Sequence, residues 1–432
     1  MAANGYTKKV IGWWFFVYLL SLPFLDAWRL PLVIGKVQAA ELVFLIGLIK
    51  IGKQFIIGWK PNALDTAIAL VLGALFVALI INPSLTAILE VIGIIYLLGV
   101  YRLSFLVGQY YSSDQIGRWL VPYSWILVVI SGLSFILCIS GYDSKGYLSE
   151  WKWIPFLDYM PRISGAAASN NLWASLIAFS GFVHWVSFRK KPRSSNLKYL
   201  LLALAISYIF TLSKSAVLVL GALLLWEGLQ RPTFQFLYPS GIGLFAVFVI
   251  VTHIIIVPKQ IDNEKISYLP PGECVEMGNV KLCPTTYSLL KFKSVEAVLE
   301  SNGLGVGGGR FHKWLEQQQE EGNYPASVPA YDPHSTYFGI AAEAGVLGLL
   351  ALIFMIFSLS VKINESSATD IVSVGLSLYI LTVALDAIAM DVLNFRMLWV
   401  AIGLWAGINT PSLNKSPSPP TPPQTPPSAP PR

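Results

Sequence analysis

Tyr331-Asp-Pro-His-Ser-Thr-Tyr-Phe-Gly-Ile-Ala-Ala-Glu-Ala-Gly-Val-Leu-Gly-Leu-Leu350 is a junction between two kinds of sequence. A polar stretch of about 75 residues runs into it, and an apolar stretch long enough to cross a bilayer runs out of it. Asp332 and Pro333 predict a helix start. Asp is a good N-cap, and Pro suits the first helical position, where an N–H would have no partner. His334, one of four histidines, then falls in the first turn. There the positive end of the helix dipole disfavours imidazolium. A neutral imidazole at a membrane–water boundary is a good general base. The competing reading is a histidine that merely decorates a helix start.

The rest of the chain fits a membrane setting. Hydrophobic residues make up 55% and charged residues 12%, with a mean hydropathy of +0.61. Soluble chains carry about 25% charged residues, so the composition predicts an all-α polytopic membrane protein. Three cysteines exclude a disulfide-rich scaffold. His184, His253, His312 and His334 lie far apart, with no metal-ligand spacing, so neither a metal nor a cofactor is expected. The net charge of +6 reads as membrane topology, and no Arg/Lys run with interleaved aromatics suggests nucleic acid.

Spans need about 20 mostly apolar residues. They are expected at roughly 10–25, 32–50, 62–81, 85–101, 119–140, 170–188, 197–212, 215–230, 238–257, 334–360, 371–389 and 396–410, about twelve in all. Lys8 and Lys9 before Val10–Leu25 resemble a signal peptide, but no small-x-small site follows, so a retained first span is expected. With the N-terminus inside, about sixteen Lys/Arg fall on the cytoplasmic side and about seven in the short external loops. Both termini are therefore expected inside and the long loop outside. The organisation expected is an N-terminal bundle of about nine helices (1–257), a large external loop (258–333), about three C-terminal helices (334–410) and a disordered proline-rich tail (411–432).

The loop carries Cys274 and Cys283, which the topology puts on the oxidising side, so a disulfide between them is expected; two free thiols are the alternative. Between Tyr287 and Leu299, apolar Leu289, Leu290, Phe292, Val295, Val298 and Leu299 alternate with Lys291, Lys293, Glu296 and Glu300. That is an amphipathic helix of about four turns suited to the interface. The run Gly303-Leu-Gly-Val-Gly-Gly-Gly-Arg310 could wrap an anion with backbone N–H groups or act as a plain hinge.

Three cations have no topological explanation beyond snorkelling: Arg162, Lys214 and Arg310. All fall on the expected face of His334, and fixed cations beside a base suit a pyrophosphate-bearing substrate. Glu343 lies nine residues beyond His334, on the opposite helix face and roughly 13 Å along the axis. It is expected to pair with a neighbouring span, while Gly345 and Gly348 permit close helix contact.

The block Pro333–Leu350 resembles the signature of the O-antigen ligase and polymerase superfamily, a His-Ser/Asn ahead of a helix with Glu-x-Gly-x-x-Gly. Arg162-Ile-Ser-Gly165 with Asn171-Leu-Trp-Ala174, Leu212-Ser-Lys-Ser-Ala216 and Gly303–Phe311 are similar to three further segments of that family, in the same order. Asn170 replaces a usual Pro and Lys214 a usual Arg, which turns a bidentate clamp into a point charge. The resemblance covers about 160–400 and implies a bacterial inner-membrane transferase. Such an enzyme moves a glycan from an undecaprenyl-diphosphate donor to an acceptor hydroxyl, on lipid A core or a growing polysaccharide, at the periplasmic face. In that reading His334 is the base, and Arg162, Lys214 and Arg310 hold the diphosphate. The rival class is a transporter of the bicarbonate type that shares the His block.

Overall fold

Asn62 opens one of the longest apolar helices by accepting the N–H groups of Leu64 and Asp65, while Asp65 returns a bond from the Asn62 N–H. This reciprocal cap satisfies donors that a helix start otherwise leaves bare. The computed structural model describes residues 5–24, 29–32, 35–56, 61–142, 148–154, 158–167, 169–190, 195–259, 274–326, 328–365 and 370–410. The expected tail from Pro411 to Arg432 lies outside the described residues, as does 260–273 of the long loop.

Fourteen helices follow one another among the described residues. They are α1 (Gly5–Ser21), α2 (Ala39–Ile56), α3 (Ala63–Ile81), α4 (Leu85–Tyr110), α5 (Ser113–Ile139), α6 (Asn170–Lys190) and α7 (Ser195–Ile209), then α8 (Ser215–Gln230), α9 (Leu237–His253), α10 (Thr286–Glu300), α11 (Phe311–Glu320), α12 (Thr336–Glu365), α13 (Ile371–Asp386) and α14 (Arg396–Asn409). A helix lies on each of the twelve expected apolar stretches, and α10 and α11 lie in the long loop. Four are long and apolar enough to cross a membrane: α3, α4, α5 and Thr336–Ile363 of α12. Their outward side chains include Phe76, Ile80, Ile92, Val129, Leu133 and Phe357. An apolar outer surface of this kind is what lipid covers.

One boundary needs correction. The second span was expected from 32, but Arg29–Leu32 (β1) and Gly35–Gln38 (β2) pair as an antiparallel hairpin, and α2 begins only at Ala39. Glu41 accepts the Gln38 N–H at 2.9 Å, which fixes that start. Two further small sheets lie outside the helices. Ser149–Ile154 (β3) pairs with Asp158–Ile163 (β4), setting Glu150 opposite Arg162. Ile254–Pro258 (β5), Val275–Met277 (β6) and Val280–Pro284 (β7) form a sheet in the order β5-β7-β6, and Cys274 is disulfide-bonded to Cys283.

The core is built around buried Trp173, Trp399, Trp405, Tyr101 and Tyr379. α14 lies so close along α4 that a Cβ on Gly403 or Gly407 would come within 2.3 Å of Tyr101 O or 2.1 Å of Phe105 O. Small residues at such crossings let backbones touch.

α12 is interrupted. Gly345 has φ 69° and ψ −166°, a conformation open essentially to glycine alone. The glycine-rich run fills the break. Val306 N–H donates to Ala342 O (2.8 Å), Gly307 N–H to Glu343 O (3.0 Å), and Val346 N–H returns to Gly303 O (2.9 Å). This corrects two expectations. The run's N–H groups at Val306 and Gly307 are spent on α12 and are not free to wrap an anion. Gly345 serves a loop insertion, since its Cβ would lie 2.2 Å from Gly303 O. A Cβ on Gly348 would meet Ala344 and Ile340 of its own helix first.

Candidate functional site

His334 does not lie in a first helical turn. α12 starts at Thr336, after Ser335, whose carbonyl accepts the Gly339 N–H at 2.8 Å. Asp332 and Pro333 therefore precede the helix, and His334 adopts a left-handed φ of 48°. That region is costly for most side chains, though His visits it more than most. The following residues pin it. Thr336 N–H reaches Ala387 O (2.9 Å) and Met390 O (3.1 Å). Ser335 Oγ donates to Ala387 O (3.0 Å), and Tyr337 hydroxyl to Ala384 O (2.7 Å). The end of α13 thus dictates the backbone that presents the imidazole.

Around the half-buried His334 stand Tyr287, with ring centroids 5.0 Å apart, and Tyr331, at 5.7 Å. The Lys214 ammonium lies over the other part of this cluster, 5.0 Å from the Tyr287 ring centroid. Lys214 follows a left-handed Leu212 and precedes α8. Its flanking serines are held, Ser213 Oγ 3.0 Å from Asn171 Oδ1 and Ser215 Oγ donating to Asp386 at 2.6 Å. Arg162, on β4, is aimed by Glu150 at 2.8 Å and by Thr211 O at 3.4 Å. The structure therefore gathers Arg162, Lys214 and His334.

It also recruits residues the sequence pattern did not single out. On α10, the buried residues are Leu290, Lys291, Lys293, Ser294 and Ala297, while Phe292 (63%), Val295 (45%) and Leu299 (71%) are exposed. Phe292, Val295 and Leu299 of the stripe face away from the protein, while Leu290 and two lysines face in. Lys291 Nζ lies 2.6 Å from Nε2 of His253 and 5.9 Å from the Phe338 ring centroid. Tyr287, one turn earlier on α10, is the shared wall between Lys214 and His334.

The electrostatics follow from this crowding. Lys214 is exposed at the rim but sits in a crevice that strips water from it. Burial first, then the charges of Arg162 and Lys152, bring its ammonium down to about 8. Burial and then Lys214 bring Lys291 down to about 8 as well. Burial lowers His334, Lys291 lowers it further, and Asp332 opposes both. The result is a positively charged crevice beside an imidazole that is neutral at pH 7.

Arg310 and Glu343 stand apart. Arg310 precedes α11, its Cδ near Gly307, in the segment that packs on Asn82, which ends α3, and on Thr86 at the start of α4. Among the described residues no interaction links its guanidinium to Arg162, Lys214 or His334. The Glu343 carboxyl is buried, accepts the Phe311 N–H at 3.4 Å and lies against Glu90 of α4. It secures the inserted loop to a neighbouring helix. Compared with known proteins, the chain matches no family model, and no curated protein matches it.

Proposed function

We propose that the chain is a lipid-linked glycan transferase of the O-antigen ligase or polymerase type. It would cross the bacterial inner membrane about twelve times, with both termini cytoplasmic and the His334 crevice on the periplasmic face. The observation that carries the reading is the Lys214–Tyr287–His334 cluster, a cation and a base that both meet one tyrosine ring, with Arg162 and Lys291 beside it. In this reading Arg162, Lys214 and Lys291 bind the undecaprenyl-diphosphate leaving group and stabilise the charge that grows on it. His334 takes the proton of an acceptor hydroxyl. That oxygen bonds to the anomeric carbon as the bond to the diphosphate breaks, with inversion, and undecaprenyl diphosphate leaves. Arg310 would touch a longer donor or the acceptor, outside the three-cation group.

The interrupted α12 is the feature a transporter reading would use, since broken helices often bind ions with freed carbonyls. Here the Ala342 and Glu343 carbonyls already accept Val306 and Gly307, which favours the transferase. The test is transfer by the purified protein from undecaprenyl-diphosphate glycan, offered separately with lipid A core and with further donor. Product in the first reaction alone indicates a ligase, and in the second a polymerase. Absence of product in both, with donor bound, sinks the proposal.

A further inference from the structure

At the end of the bundle away from His334, α5, α6, α7 and the start of α13 line an open cleft of about 570 Å³. This is the size of a small-molecule site. Its α5 wall changes character along the helix axis. Asp114 stands in the first turn, Arg118 one turn further along, then Val121 and Trp125. At ~1.5 Å per residue, these lie roughly 6, 10 and 16 Å beyond Asp114 along the helix. Among the described residues neither Asp114 nor Arg118 has a hydrogen-bond or ion-pair partner. Both side chains line the cleft. Asp370 shares the outer rim, where it accepts from Ser113 Oγ and from the Ser373 N–H, so its oxygens are partly engaged.

The order acid, cation, apolar wall matches one class of amphiphile. A phospholipid with a primary amine carries its ammonium outermost, its phosphate next and its acyl chains innermost. We infer that the cleft binds one aminophospholipid, with Asp114 on the ammonium, Arg118 on the phosphate and Val121 and Trp125 against the upper acyl chains. An Arg suits the phosphate because its fork donates two parallel hydrogen bonds. A purely anionic lipid would set its phosphate beside Asp114 without compensation, and a quaternary ammonium would bring no N–H to the carboxylate. The inference is independent of the chemistry at His334 and rests on the helices crossing a membrane.

Native mass spectrometry of the full chain in detergent tests it, with phosphatidylethanolamine, phosphatidylglycerol and phosphatidylcholine of identical acyl chains supplied in turn. One phosphatidylethanolamine should stay bound, with about tenfold tighter retention than either other lipid. Arg118→Ala should abolish retention and Arg118→Lys should keep it. Asp114→Asn should move the preference to phosphatidylglycerol. Circular dichroism on each variant separates lost binding from lost fold. Equal retention of the three lipids, a wild-type preference for the anionic one, or retention unchanged in folded Arg118→Ala would each overturn the inference.

Discussion

The Lys291 ammonium lies 2.6 Å from Nε2 of His253, and Nδ1 of the same ring lies 2.7 Å from Val249 O. A carbonyl only accepts, so Nδ1 carries the ring proton and Nε2 accepts from Lys291. The lysine is thereby held pointing inward, on a helix whose Phe292, Val295 and Leu299 point out.

Both Lys214 and Lys291 are held at about 8, below the usual lysine value of about 10.4. Each loses its charge as pH rises from 7 to 9. A diphosphate binds the charged forms, so donor affinity should fall through that window, and binding near pH 8 should take up protons. Calorimetry in buffers of differing ionisation enthalpy measures both effects. The double variant Lys214→Arg, Lys291→Arg should flatten the profile, because guanidinium stays charged. An equally steep profile in that variant would contradict the clamp.

Lys291→Met should weaken donor binding about tenfold to a hundredfold, the weight of one hydrogen bond to a charged group. Stability should move the other way. A lowered lysine pKa means the charged form is disfavoured in the fold, a cost present in full below about 8 and fading as pH rises towards the unfolded value. At pH 7 the Met variant should melt no lower than the parent. A drop in melting temperature would show that Lys291 is structural.

Gly345→Ala should cost about 2–3 kcal/mol or more, from a forbidden backbone and a clash with Gly303 O. Gly339→Ala is the control. Its Cβ would meet only Pro333 Cγ, at 3.9 Å, and alanine favours the helix by up to about 1 kcal/mol. Thermal unfolding in detergent compares the two. Equal melting temperatures would mean that the inserted loop does not need the break.

Topology is testable by reporter fusions. Alkaline phosphatase joined after Glu320 should be active, and joined after Arg231 inactive. The reverse pattern would place the His334 crevice in the cytoplasm and remove the periplasmic donor.

The helices were legible because long apolar runs with polar caps such as Asn62 and Asp65 leave little choice. The hairpin at 29–38 was partly hidden, since apolar Leu32 and Val37 read as part of a span expected from 32. Asp332-Pro333 imitates a helix start, but the bonds that begin α12 come from Ala387 and Met390, more than fifty residues away. No local signal carries them. Periodicity on α10 identified an apolar face but not which way it turns. Which side of α10 packs on the protein is set by contacts distant in sequence, so the stripe was readable and the inward turn of Lys291 was not. Arg162 and Lys214 lie near each other and Lys214 and His334 both meet Tyr287, while Arg310 sits with the glycine run that plugs α12.

The left-handed backbone at His334 also supplies the cleanest test. Asn tolerates that conformation, so His334→Asn should fold as the parent does while lacking a base. Transfer from undecaprenyl-diphosphate glycan in a single turnover, followed from pH 5 to 9, is the decisive measurement. The parent should lose rate on the acid side, at a pH below the ordinary imidazole range because His334 is lowered, when that ring takes a proton, and again above about 8 as the lysines lose theirs. His334→Asn should bind donor normally and transfer at least about a hundredfold more slowly, with no acidic limb. A folded His334→Asn protein that transfers at the parent rate, with the acidic limb intact, would contradict the account.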